Sequence, residues 1–300
     1  MSPCQKKSVF KYSVNTNSIR AFFKPAEMAA MIKKLGYEGV EWGLPGVAEA
    51  AAAAKEMAQA AKDNGLEVPA YINAGHLWKT DVMRRWSEAV AAVGCRHLRV
   101  SPPWAAYDFA ESVHQKASFT DMMKICRDGL AGLVPLAKEY GIRYVVELHK
   151  GNVAVGAAEA RLLADGIDPK AVGFIYDAAN TATEGFLRPR HSVELLGEYM
   201  AYVHLKNLVL EPTADGEDPT PGVRRLRYTA RTTKLNAGLV DWAEVMFGLK
   251  AVGWSGWLSM EEFFDRRAPE KDLTEALAFI KACEAAAPCC PQPPFTTFND

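Results

Sequence analysis

Short apolar runs return along this chain at a steady beat, each one following a glycine. Gly36, Gly65 and Gly94 are evenly spaced, and Gly141, Gly166 and Gly253 continue the device. A glycine just past an amphipathic segment accepts the left-handed backbone that closes a helix. The runs that follow read YEGVEWG, LEVPAYIN, CRHLRVSP, IRYVVELH, AVGFIYDAAN and WSGWLSMEEF. They are apolar on both faces, as buried parallel strands must be. Strands are predicted at 11–15, 39–42, 67–73, 96–100, 143–148, 172–177, 200–205 and 256–261, with helices between and after them. Eight such β-α units in 300 residues predict an α/β chain folded as a single-domain (β/α)8 TIM barrel. A doubly wound open sheet is the alternative, but the first strand-helix turn carries no GxGxxG.

The helices carry their own punctuation. In 118–140, Met122, Cys126, Leu130, Leu133 and Ala137 recur at helical spacing, and Ser118 with Asp121 reads as a capping box. Pro135 is expected to interrupt and kink this helix. Thr80 is expected to cap a helix over 80–93, and Pro25 and Pro269 suit first turns. The barrel is expected to occupy 11–285, between an N-terminal extension (1–10) and a Pro-rich tail (286–300), read as disordered or docking. Residues 208–238 form a long polar segment after the seventh strand, expected to cover the catalytic face as a lid.

Composition narrows the function classes. The net charge is −1, without the basic footprint of a nucleic-acid or anionic-membrane binder. No apolar run is long enough to span a bilayer. The N-terminus has lysines but no apolar h-region, so a cytoplasmic location is expected. The 6 cysteines show neither CxxC nor zinc-finger spacing. Cys95 and Cys126 read as small core residues, and Cys289-Cys290 as an incidental pair in the tail. Homo-oligomer formation stays open.

Four strings set the chemistry: YVVELH (144–149), FIYDAAN (174–180), YVHLKN (202–207) and WLSMEEF (257–263). Each delivers a metal-ligating side chain off a strand end: Glu147, Asp177, His204 and Glu261. In a parallel barrel such side chains converge at the C-terminal face. A lone glutamate after an apolar run is usually a solvated loop residue, and that reading would have to hold at each of these positions. Three carboxylates brought together need a cation or protons. With one imidazole they suit a divalent metal, Mn²⁺ first, with Mg²⁺, Co²⁺ and Zn²⁺ as alternatives. Strand alternation lets one of Glu261 and Glu262 point inward. Ser259 shares parity with Glu261, while Leu258 and Met260 suit the helix layer, which favours Glu261. His149 and Lys206 share parity with Glu147 and His204 and are candidate substrate contacts, with a supporting hydrogen bond or ion pair as the alternative role. His97 reads as a core residue, and His114 and His191 lie in polar segments. His76, Trp78, Trp104 and Tyr107 fall in catalytic-face loops. Arg231 in the long loop is a candidate anchor for substrate oxygens.

The order E, D, H, E on strands five to eight, with ELHKGN, YDAAN, VHLKN and LNAGLVDW before a final SxE, resembles the xylose-isomerase-like barrel superfamily. It resembles more closely the sugar phosphate isomerase/epimerase branch, with its ketose 3-epimerases, inosose dehydratases and hydroxypyruvate isomerases. The resemblance covers about residues 10–284. It implies a small sugar-like substrate whose adjacent oxygens are held by the metal, flanked by Glu147 and Glu261 as proton-moving groups. Removing a proton α to a carbonyl leaves an enediolate, which a divalent cation stabilises, and a carboxylate within reach serves as the base. The ketose 3-epimerases carry a histidine three residues after the strand-six aspartate. This chain has Asn180, which can hydrogen-bond a hydroxyl but cannot shuttle a proton. The expectation is a metal-dependent isomerase or epimerase, with a lyase on a keto-sugar or keto-cyclitol as the alternative. A non-catalytic binding barrel ranks lower. An endonuclease IV-like reading is weaker still, since strand four ends in RVSPPW without the histidines such an enzyme needs.

Overall fold

The computed structural model describes residues 9–102, 118–183, 187–212, 228–261 and 265–288. Its strands are β1 (Lys11–Asn15), β2 (Gly39–Gly43), β3 (Tyr71–His76), β4 (His97–Ser101), β5 (Arg143–Glu147), β6 (Val172–Asp177), β7 (Met200–Leu205), β8 (Asn207–Pro212), β9 (Tyr228–Thr233) and β10 (Trp257–Met260). Eight of them close a barrel in the order β1-β2-β3-β4-β5-β6-β7-β10. All neighbours run parallel, and closure is made by β1, where Val14 pairs with Val40 on one side and Met260 on the other. The helices are α1 (Pro25–Lys34), α2 (Ala50–Asp63), α3 (Thr80–Ala91), α4 (Phe119–Tyr140), α5 (Ala157–Ala164), α6 (Ala178–Thr181), α7 (Pro189–Leu196), α8 (Trp242–Ala251) and α9 (Glu270–Ala286). Among the described residues no helix is long and apolar enough to cross a membrane.

The punctuation acts as its chemistry dictates. All six beat glycines have positive φ, Gly141 at 64° closing α4. Ser118 Oγ accepts from Asp121 N at 3.1 Å, and Asp121 Oδ2 accepts from Ser118 N at 3.2 Å. Pro25 opens α1. Three expectations shift. Helix α4 runs on through Pro135 to Tyr140, because packing of Leu130, Leu133 and Leu136 into the core outweighs one missing N–H. Thr80 and Pro269 are each displaced by one residue: Lys79 precedes α3, and Pro269 immediately precedes α9. The third strand begins at Tyr71 rather than 67, leaving Gly39 and Glu67 as an isolated bridge. Pro69 has no N–H to give the ladder, and Asn73 with φ of 74° shifts the register farther along.

Two layers of core flank the strands. Outward residues such as Trp42, Phe174, Leu258 and Met260 pack with the helices in one large cluster. Ala70, Val145, Ile175 and Tyr202 form a second cluster, with Trp257 against it. Beyond it toward the C-terminal ends of the strands, the buried residues turn polar: Asn15, Glu41, Glu147, Asp177, His204 and Glu261. At the opposite end a cavity of about 700 Å³, lined among others by Arg96, His97, Lys138, Arg143 and Lys170, shares no residue with them. Residues 1–8, 103–117, 184–186, 213–227, 262–264 and 289–300 lie outside the described residues, and with them Trp104, Tyr107, His114, Glu262, Cys4, Cys289, Cys290 and all but the first three residues of the expected tail, whose Ala286 ends α9.

Candidate metal centre

Four consecutive barrel strands deliver the four expected ligands. Glu147 and Asp177 are the last residues of β5 and β6, His204 is the penultimate residue of β7, and Glu261 follows β10. One ligand atom from each lies within 4.8 Å of all the others, and all four residues are buried. His204 Nδ1 is 3.0 Å from Glu147 Oε1, 3.7 Å from Glu261 Oε1 and 3.9 Å from Asp177 Oδ2. Ser259, which shares parity with Glu261, reaches the barrel interior, while Leu258 and Met260 join the helix layer; Glu262 lies outside the described residues.

The neighbours of these groups explain their electrostatics. Lys206 Nζ sits among the carboxylates, 2.7 Å from Asp177 Oδ2, 2.8 Å from Glu261 Oε2 and 3.5 Å from Glu147 Oε1. Arg99 Nη2 contacts Glu147 Oε2 at 2.5 Å. Burial alone would raise Glu147, but Arg99, Lys206 and His204 outweigh it and hold the carboxyl well below its usual range. Asp177 goes the other way: burial, with Glu147 and Glu261 adding to it against Lys206, pushes it up to about 7. Burial also opposes charge on His204, yet Glu41, Glu261 and Glu147 overcome it and raise the imidazole well above its ordinary value.

A divalent ion fits this group. Four buried carboxylates (Glu41, Glu147, Asp177 and Glu261) meet two permanent cations, Arg99 and Lys206. The shortfall is two positive charges, which one divalent ion matches. Hard oxygen donors with one imidazole suit Mn²⁺, Mg²⁺ or Co²⁺, and Zn²⁺ tolerates the same set.

The other expected site residues divide. Asn180 is buried in the wall: its Nδ2 donates to Leu148 O at 3.2 Å and Glu147 Oε1 at 3.4 Å, and its N–H donates to Asp177 Oδ1 at 2.8 Å. Asp177 thereby caps the short helix α6. Lys206 lies in the centre. His149, half-buried, has its Nδ1 against Lys150 O at 2.5 Å, and burial lowers its imidazole against the pull of Glu147. Arg231 is not brought to the cluster. It lies on β9, 56% exposed, with Nε on Glu211 Oε2 at 2.9 Å. The segment read as a polar loop is in part a hairpin, since Asn207–Pro212 pairs antiparallel with Tyr228–Thr233. Cross-strand pairing satisfies Arg231 with Glu211, which sequence distance concealed.

Sequence reading missed Glu41, Arg99, Asn15, Tyr202 and Ser259 as parts of the site. Asn15 Nδ2 donates to Glu261 Oε1 at 2.9 Å. Tyr202 and Ser259 hydroxyls and His204 Nε2 surround Glu41. The available signal was a charged residue inside an apolar strand run, Glu41 in GVEWG and Arg99 in HLRVS, since an unpaired charge there would be costly.

The sequence model of the xylose isomerase-like TIM barrel family matches residues 29–283. The chain belongs to that family. Among curated proteins it is 26% identical over 137 residues to an inosose dehydratase of Geobacillus thermodenitrificans. That match covers 45% of each chain, so this chain spans about half the length of the curated relative it matches. Solved structures of similar fold include a 3-keto-D-glucoside 4-epimerase from E. coli (TM-score 0.68, 20% identity, 91% of this chain and 100% of that one). A D-psicose 3-epimerase crystallised in the presence of D-fructose aligns with TM-score 0.68 at 14% identity over 92% of this chain and 100% of that one. The IolI protein with a bound zinc atom aligns with TM-score 0.69 at 15% identity over 92% and 98%. At these identities the likeness is one of fold.

Proposed function

We propose that this protein is a divalent-metal-dependent isomerase or epimerase of a sugar or keto-sugar, working by proton abstraction α to a carbonyl. The observation that carries this reading is the convergence of Glu147 and Glu261, from non-adjacent barrel strands, on one buried group of ligand atoms within 4.8 Å. Glu147, Asp177, His204 and Glu261 would hold the ion. When bound, the ion supplies Lewis-acid polarisation of a substrate carbonyl and hydroxyl.

The chain's own residues supply the rest. Glu147, kept ionised by Arg99 at 2.5 Å, is ready to accept a proton from carbon. Glu261, held by Asn15 and Lys206, is placed to return one, and two carboxylates on different sides of a substrate permit inversion. Lys206 and His149 offer donors to substrate oxygens, and Asn180 steadies both Glu147 and Asp177. Burial of the whole group limits stray protonation by water. The polar walls, with a net charge of −1 that supplies no global pull on anions, favour a small neutral or weakly charged substrate.

A dehydratase is the second reading. The sequence match to an inosose dehydratase supports it, and it needs the same first proton abstraction followed by loss of water. The test is a panel of ketoses and keto-cyclitols with Mn²⁺, Mg²⁺ and Co²⁺ in deuterated water, read by mass. An isomer or epimer keeps the substrate mass apart from deuterium taken up at the α carbon, whereas dehydration loses 18 mass units, roughly one water. The absence of both deuterium uptake and loss of water with every member of the panel would count against both readings.

A further inference from the structure

Glu41 is enclosed in the barrel, with no exposed surface, and touches no space a substrate could enter. Its strand is built to admit it. The interior positions of β2 are Gly39, Glu41 and Gly43, so Glu41 is the one side chain β2 sends inward. A Cβ on Gly39 would come within 2.7 Å of the Trp257 ring, and one on Gly43 within 3.2 Å of Asn17 Oδ1. The carboxylate is then fixed from two other strands. Tyr202 OH donates to Oε1 at 2.6 Å and Ser259 Oγ to Oε2 at 2.5 Å. Against this fixed acceptor lies His204 Nε2, 3.1 Å from Oε1. The other ring nitrogen, Nδ1, faces Glu147, Asp177 and Glu261.

We infer that Glu41 is the positioning residue of the metal centre: it takes the Nε2–H of His204 and so presents the Nδ1 lone pair to the ion. This rests on the metal-dependent reading above. A neutral imidazole has one N–H and one lone pair, and the hydrogen bond made by one nitrogen decides the role of the other. An anionic acceptor behind the ring also makes it a better donor to a cation, and losing such a partner typically costs about 10–100-fold in metal affinity. Tyr202 and Ser259 keep the carboxylate from turning away.

The test is Mn²⁺ titration of metal-free wild type, Glu41→Gln, Glu41→Leu and Tyr202→Phe, each checked for folding by its thermal midpoint. Glu41→Leu removes the acceptor and is expected to weaken Mn²⁺ binding about 10–100-fold. Glu41→Gln keeps an acceptor oxygen and should recover most of that loss. Tyr202→Phe removes one of the two hydroxyls that hold the carboxylate and is expected to weaken Mn²⁺ binding by less than Glu41→Leu does. Nitrogen-15 NMR of the Mg²⁺-loaded protein should show Nε2 of His204 protonated in the wild type. A purely structural role would move the thermal midpoints and leave the folded variants' affinities alone. Should Glu41→Leu fail to fold, Glu41→Asp carries the test, since it withdraws the carboxylate by one methylene. Mn²⁺ affinity equal to wild type in the folded Leu or Asp variant overturns the inference and leaves the proposed function standing. A wild type that takes up no Mn²⁺, Mg²⁺ or Co²⁺ removes both.

Discussion

Glu147 and Glu261 are the same residue type in different surroundings. Glu147 is bracketed by Arg99, Lys206 and Asn180, while Glu261 rests on Asn15 and Lys206. An amide in either place keeps the shape and removes the proton acceptor. Glu147→Gln and Glu261→Gln are each expected to lower turnover by at least ~10²-fold, and metal content measured alongside separates lost base from lost ion. Asp177 gives a pH signature. Its carboxyl is raised to about 7 in the folded metal-free chain from an ordinary value of 3.8, so the folded state holds a proton that the unfolded state gives up. The stability this adds is complete below the unfolded value and is lost as pH rises through about 7. Thermal midpoints of the metal-free protein should therefore fall across that window, and Asp177→Asn should flatten the decline. A decline of equal steepness in the variant would assign the titration to another group. The four converging side chains were legible in the sequence because each ends an apolar run. Glu41 and Arg99 were not, because a charge in mid-strand reveals its partners only once the barrel closes around it.

Helix α4 shows how one element carries local and tertiary information separately. Its Ser118 cap and Gly141 stop were readable from residue type. Its passage through Pro135 was not, since burial against other elements decided it. Gly141 adopts φ of 64° with open space where a Cβ would go, so Gly141→Ala should cost about 1 kcal/mol from backbone strain alone. Gly132, in the same helix and equally uncrowded, lacks that constraint, and Gly132→Ala should gain roughly 0.5–1 kcal/mol. Urea denaturation of the two variants checks the pair, and equal signs would contradict it. The hairpin of β8 and β9 was hidden for a different reason. Its outer residues are polar and exposed, and Arg231 there engages Glu211 rather than the centre. Arg231→Ala is expected to leave KM unchanged, and a raised KM would return Arg231 to the substrate.

Across the whole molecule, the barrel places its polar end and its apolar girdle along one axis. The polar end is crowded with like charge, so binding a cation there should stabilise the fold. Mn²⁺ at 100 times its Kd should add about 2.7 kcal/mol and raise Tm by several degrees, reversibly with chelator. No shift in Tm would argue against an ion at this centre. The sequence by itself determined the alternation of strands and helices, the glycine stops and the four strand-end side chains, because those signals are carried by neighbours a few residues apart. The tertiary structure alone decided that the ligands meet within 4.8 Å, that Glu41 stands behind His204, that Arg99 and Lys206 share Glu147, and that Arg231 does not join them. Those contacts join residues up to 163 positions apart, and strand order and closure, not local periodicity, bring them together.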